Sequence, residues 1–248
     1  LLKLPFESAS SSIREIYVDG AKLLVITDEK NTQLKEVKKE SKVSEYYTAT
    51  HNQTILYTYS LETPSNPRLL GQVGQDGIYH TSRKIGDKVY LFTKESLAEI
   101  SYGSDRGSYD WVPLAGGETI ASDCIYIPEK GGNSLIISSI DIDQPKELLD
   151  NVMIVNNNVE VYVSTQAVYL YHADWSREVT TEIAKFSLKD GQINAVGASS
   201  VKGRVLDTFA INEYQKNLRI LTTCDNANDG SNLYILDEQL KLTGKLEG

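Results

Sequence analysis

This sequence has little cysteine, methionine or histidine: two, one and three residues respectively in a chain of 248. Cys124 and Cys224 show no CxxC spacing, so neither a thiol redox motif nor a cysteine-based zinc site is encoded. So few cysteines suit a reducing compartment, or an exported protein that folds without a disulfide framework. Spacing alone leaves a Cys124–Cys224 bridge open. A single methionine argues against an adaptable Met-lined groove. His51, His80 and His172 fall in no HExxH or paired spacing, so no metal and no cofactor is signalled. Phosphate cradles of the P-loop or GxGxxG kind are missing. The nearest string to a G-x-S-x-G elbow, Gly103-Ser104-Asp105-Arg106-Gly107, has its serine in the wrong place. A Ser–His–Asp triad assembled only in space stays open, and so does a glycosidase-type carboxylate pair.

Positive charge is also scarce. Twenty-five Lys and Arg stand against 34 Asp and Glu, a formal net charge of −9. That balance disfavours nonspecific nucleic-acid binding and docking on anionic lipid. No apolar run approaches the length of a membrane span. The opening LLKLPFESASSS lacks the basic and long apolar regions of a signal peptide. With the closing KLTGKLEG, it reads as part of an excised domain or a mature fragment.

Tyrosine is abundant, with 15 residues against 4 Phe and 2 Trp. Tyrosine favours half-buried strand positions. Two kinds of hairpin alternate along the chain. The first joins a strand, a tight polar turn and a strongly apolar strand: IREIYV-DGA-KLLVIT (13–27), YHTSRKI-GD-KVYLFT (79–93), VEVYVS-TQ-AVYLYH (159–172) and VLDTFAINEY-QKN-LRILTT (205–223). Asp-Gly and Gly-Asp suit such turns because they tolerate positive φ. The apolar second strand reads as buried on both faces. The second kind follows each copy and ends in a polar strand rich in Lys, Arg, Gln and Gly, the mark of a charge-defended edge. In the first of these, Tyr57, Tyr59 and Leu61 alternate with Thr58, Ser60 and Glu62.

The unit is therefore four antiparallel strands, repeated four times, over about 13–75, 78–153, 159–202 and 204–248. This predicts an all-β chain, a single β-propeller domain or propeller fragment with about four blades, either a closed ring or an incomplete one. A sandwich of sixteen strands would be large, and a solenoid would repeat more evenly. Two insertions lengthen the early blades, at about 28–53 and 95–133. In the first, Lys35, Lys38, Lys39 and Lys42 interleave with Glu36, Glu40 and Glu45, which predicts a short exposed helix or a disordered loop.

YVDGAKLLVI, TSRKIGDKVYL, SLIISSIDI, EIAKFSL and NLYILDEQLKLTGKLEG together resemble the bacterial and archaeal family of secreted proteins with a C-terminal β-propeller distantly related to WD40 repeats. The Gly-His and Trp-Asp signatures of WD40 repeats proper are absent. The resemblance runs from about residue 13 to the end. It implies export or surface attachment, further blades beyond those seen here, and no assigned catalytic motif. Open blade edges would then let the chain pair with itself as a homodimer.

Candidate ligand-binding residues lie where inner strands and long loops meet a propeller rim. His80 and Arg83 sit on the second copy's inner strand, Arg204 and Asp207 near the start of the fourth. Rim arginines suit an anionic ligand or ion pairs between blades. Tyr109 and Trp111, with Tyr102, Gly116 and Gly117, lie in the second insertion, where aromatics build glycan or peptide platforms or pack onto their own blade. Asp225 and Asp229 in CDNANDGSN partly resemble a calcium loop, but Ala227 interrupts it, and a polar hairpin turn explains it more simply. The expectation is a non-catalytic extracellular binding or scaffold module for a protein or glycan at the rim. A rim hydrolase acting on polysaccharide or peptide, or a regulatory propeller gating a catalytic domain, are the alternatives.

Overall fold

A computed structural model describes residues 11–38, 44–97, 112–128, 132–156, 158–176, 178–224 and 230–248; for 31–38 and 44–51 it describes the backbone alone. The chain divides into two compact units, Leu1–Asn157 and Asn158–Gly248.

In the first unit, β1 (Ser11–Asp19), β2 (Lys22–Lys38), β3 (Ser44–Ser60) and β4 (Arg68–Asp76) form one antiparallel sheet in chain order. The second sheet starts with β5 (Ile78–Ile85) and β6 (Lys88–Ser96). The chain then makes three two-residue strands, β7 (Leu114–Ala115), β8 (Glu118–Thr119) and β9 (Ile125–Tyr126), before β10 (Asn133–Asp141) and β11 (Asp150–Val155) complete that sheet. β7 and β8 add to the outer edge of the first sheet, and β9 runs parallel to β11 on the outer edge of the second. The second insertion thus covers the edges of both sheets. Leu24, Ile26, Leu56 and Val73 of the first sheet pack on Val89, Leu91, Ile140 and Ile142 of the second. Every residue from Val89 to Thr93 and from Ser134 to Ile140 is buried, as expected of strands covered on both faces.

The second unit holds two four-stranded sheets. β12 (Glu160–Val163), β13 (Ala167–Asp174), β14 (Thr180–Lys189) and β15 (Gln192–Lys202) form one; β16 (Ile211–Tyr214), β17 (Asn217–Thr223), β18 (Ser231–Leu236) and β19 (Leu242–Leu246) form the other. Tyr169, Tyr171, Ile183 and Val201 meet Ile211, Leu218, Ile220, Tyr234 and Leu236 in one core. β17 and β18 alternate buried and open positions, and Leu221 is 50% exposed.

Three expectations are corrected. The apolar second strand of the last hairpin, β17, is not buried on both faces: Leu218, Ile220 and Thr222 are buried while Arg219 and Leu221 are exposed, because only one face of this sheet packs against the core it shares with β13 and β14. The first insertion is neither helix nor loop over the described residues: β2 and β3 stay paired from Lys22↔Ser60 out to Lys38↔Ser44. A ladder without a register shift outweighs the weak i,i+4 charge pairs that suggested a helix. The inner strand of the last sheet is also shorter than 205–214. Asp207 accepts the Phe209 amide at 2.8 Å and closes a 3-10 turn over Thr208–Ala210, so the strand starts only at Ile211.

Candidate functional site

Antiparallel connectivity divides the connections into two groups. First-to-second and third-to-fourth turns lie at one end of a four-stranded sheet; second-to-third connections and links to the next sheet lie at the other. The first group holds the tightest turns, as at Gly20–Ala21, Gly86–Asp87 and Asp190–Gly191, with longer connections at 61–67 and 142–149. The second group holds both insertions, the loop after β13 and the link between β15 and β16. The insertions of the first unit and the link before β16 in the second therefore lie at one end of their unit, the loop end.

At the loop end of the first unit, the two inner strands carry matching bulges. The register jumps from Ile13↔Thr27 to Glu15↔Ile26 in β1, and from Tyr79↔Thr93 to Thr81↔Phe92 in β5. The extra residues are Arg14 and His80. A bulge re-aims the side chain it inserts and recurs beside binding sites. Asp28 ties this region together: its carboxylate accepts from Arg14 Nε at 2.7 Å, from Thr54 Oγ1 at 2.9 Å and from the Tyr79 amide at 2.8 Å. Further along, the buried Ser82 hydroxyl bonds the phenols of Tyr17 (2.8 Å) and Tyr79 (3.0 Å), joining the two inner strands. Burial pushes the Tyr79 phenol above its ordinary pKa, partly offset by the bond to Ser82. Arg83 turns to its own strand, donating to the Ser82 carbonyl at 2.8 Å and the Thr81 hydroxyl at 3.3 Å.

At the loop end of the second unit, two aromatic rings stand in solvent beside Asp-bonded turns. Trp175 is 59% exposed and Phe209 94%. Asp174 accepts from the Ser176 amide at 2.8 Å and the Ser176 hydroxyl at 3.0 Å; both bonds hold its carboxyl below the usual range, the amide contributing most. Asp207 locks the turn beneath Phe209 in the same way. Arg204 forms an isolated bridge with Thr223, and the Gly203 amide bonds the Val179 carbonyl at 2.7 Å, which brings these connections together. Leu206 is exposed beside them.

The opposite end of the first unit holds a cleft of about 320 Å³, lined by Asp19, Lys22, Glu62, Arg68, Asp87 and Asp143 among others. Carboxylate oxygens of Asp87, Asp141 and Asp143 lie within 4.8 Å of one another. The Lys88 ammonium sits 2.9 Å from Asp87 and 3.0 Å from Asp141, and Lys22 pairs with Asp143. Ammonium groups thus stand where a cation would, and Lys22–Asp143 and Asp19–Lys84 (2.7 Å) clamp the two sheets together.

Of the residues singled out by sequence, His80 and Arg83 share β5, and Arg204 and Asp207 share the link before β16. Tyr102, Tyr109, Trp111, Asp225 and Asp229 lie outside the described residues. Cys124 and Cys224 are free thiols, and burial raises the pKa of Cys124. Sequence reasoning missed Arg14, Asp28, Trp175 and Phe209. Aligning the first two hairpins at Lys22 and Lys88 would have set Arg14 opposite His80. Exposure of Trp175 and Phe209 left no periodic mark.

Four sheets built on one antiparallel connection pattern define the propeller class. The chain belongs to the beta propeller domain family, whose model matches residues 2–248. It is also similar to an uncharacterised protein of Archaeoglobus fulgidus, 47% identical over 74 residues. That match covers 29% of this chain and 11% of the relative, so the chain spans a small part of the relative's length.

Proposed function

We propose that this propeller is a non-catalytic extracellular binding or scaffold module that offers its loop ends to a protein or glycan partner. One observation carries the reading: Trp175 and Phe209 are exposed on turns that Asp174 and Asp207 have already locked. Aromatic side chains dominate interface energetics, and rigid presentation reduces the ordering cost of binding. Export rests on the likeness to secreted propeller proteins.

A thermal-shift panel of glycans and short peptides tests this. A ligand at about 100 times its Kd adds about 2.7 kcal/mol of stability. Each kcal/mol moves the midpoint by roughly 2–4 °C at this size. The expected result is a shift that Trp175→Ser or Phe209→Ser removes while the unliganded midpoint holds. A shift that survives both substitutions places binding elsewhere, and turnover of a polysaccharide or peptide overturns the non-catalytic reading. A second reading, a propeller that gates a catalytic domain on a longer chain, is favoured by the small share of the relative that this chain spans. It predicts that adding this chain alters the activity of such a domain.

A further inference from the structure

Among the described residues, β1 pairs with β2 as far as Ser11 opposite Glu29, and β4 ends at Asp76 opposite Gln53. Beyond those points, among the described residues, β2 and β3 pair with each other alone as a two-stranded ribbon, Lys30–Lys38 against Ser44–Asn52. A bare two-stranded ribbon is marginal in water; a third strand stabilises it.

The two limbs are defended differently. Natural edges are blunted by charge, lysine above all. The β2 limb carries Lys30, Lys35, Glu36 and Lys38; the β3 limb, SEYYTATHN, has no lysine, with Glu45 near its tip and Tyr46, Tyr47, Thr48 and Thr50, residues that suit strands, along its length. Among the described residues, no strand pairs with Ser44–His51 on the side away from β2.

The backbone direction of that edge follows from one bond. The Gly77 amide donates to the Asn52 carbonyl at 2.8 Å, so the main-chain groups of Asn52 point away from β2. The β2–β3 ladder has no bulge, so Thr50, Thr48 and Tyr46 present N–H and C=O outward as well.

We propose that this edge pairs with the same edge of a second copy, in an antiparallel two-fold arrangement centred on Thr48. That register sets outward residues opposite each other: Thr48 against Thr48, Tyr46 against Thr50. It also sets Glu45 against His51 of the second copy, so no like charges meet. Pairing the β2 limb with itself would bring its lysines together, at a cost. The result is a four-stranded ribbon across the dimer, with both edges defended by charge. It is independent of the loop-end reading, since it uses neither Trp175 nor Phe209.

Sedimentation equilibrium on the chain, with two variants, tests it. Thr48→Pro removes an outward amide that the β2–β3 ladder does not use, a substitution edge strands tolerate. Thr48→Lys sets two ammonium groups face to face on the two-fold axis. A dimer is expected, and each variant should weaken it at least about tenfold, equivalent to about 1.4 kcal/mol. Circular dichroism should hold in both. A chain that stays monomeric at sub-millimolar concentration overturns the proposal, as does a dimer that both variants leave intact.

Discussion

Tyrosine's abundance is explained one hydroxyl at a time. Tyr57 donates to Glu29 at 2.7 Å, Tyr169 to Glu213 at 2.7 Å and Tyr234 to Glu247 at 3.1 Å. A ring fills the core while its hydroxyl satisfies a carboxylate, a pairing phenylalanine cannot make. Burial, and in Tyr169 and Tyr234 the neighbouring Glu, raises the phenols of Tyr169, Tyr171 and Tyr234, the last two each to about 12. The unfolded chain then ionises first as the medium turns alkaline, and the folded chain holds more protons. Stability from these groups is therefore fully present below the ordinary tyrosine value of 10.0 and is lost as pH rises toward about 12. Unfolding midpoints across that range should fall together with the appearance of tyrosinate absorbance. A second residue-level test lies in the turn between β16 and β17, where Gln215 and Lys216 have φ of 49° and 64°. Non-glycine residues are strained there. Lys216→Gly should stabilise the chain by roughly 0.5–1 kcal/mol in chemical denaturation, whereas at Asp190–Gly191 the glycine is already in place.

At the scale of strands and turns, the two sheets of the first unit are joined by close backbone approach and by ion pairs. A Cβ added to Gly71 would lie 2.7 Å from Lys146 Cγ and 2.9 Å from the Pro145 carbonyl oxygen. Gly71→Ala therefore forces β4 away from the β10–β11 turn and should cost about 1–3 kcal/mol, read as a lower urea midpoint. Lys88→Met leaves Asp141, whose side chain is 14% exposed, without its cation. The expected loss is about 1–3 kcal/mol, and added salt should not restore it, because a half-buried carboxylate is screened poorly. The hairpins around these turns were legible in the sequence because Asp-Gly, Gly-Asp and runs of Val, Ile, Leu and Tyr each have a local cause. The long ribbon was not, because its charge spacing fits a helix and only the partner strand decides. The matched bulges at Arg14 and His80 were hidden for a related reason: a register shift is a relation between strands.

For the whole molecule, the repeat of four strands carried the fold, and the connection pattern carried the division into two ends. What the sequence could not show was which apolar residues stay in water. In β17, Ile220 is fully buried and Leu221 half exposed, though each is one apolar residue in LRILTT. Ile220→Ala should cost roughly 2–5 kcal/mol, and Leu221→Ala should stay within about 0.5 kcal/mol. Equal losses would mean that the outer face of the last sheet is covered in solution.

The short-turn end also has a practical side. The turn between β3 and β4 spans 61–67, carries Pro64 and Pro67, and leaves Glu62–Asn66 exposed. It lies at the opposite end of its sheet from Arg14, Asp28 and the root of the ribbon. A fluorophore or a surface linker attached there would hold the first unit by its closed side and leave Arg14, Asp28 and the root of the ribbon free, so immobilised chain could be screened for partners of that end.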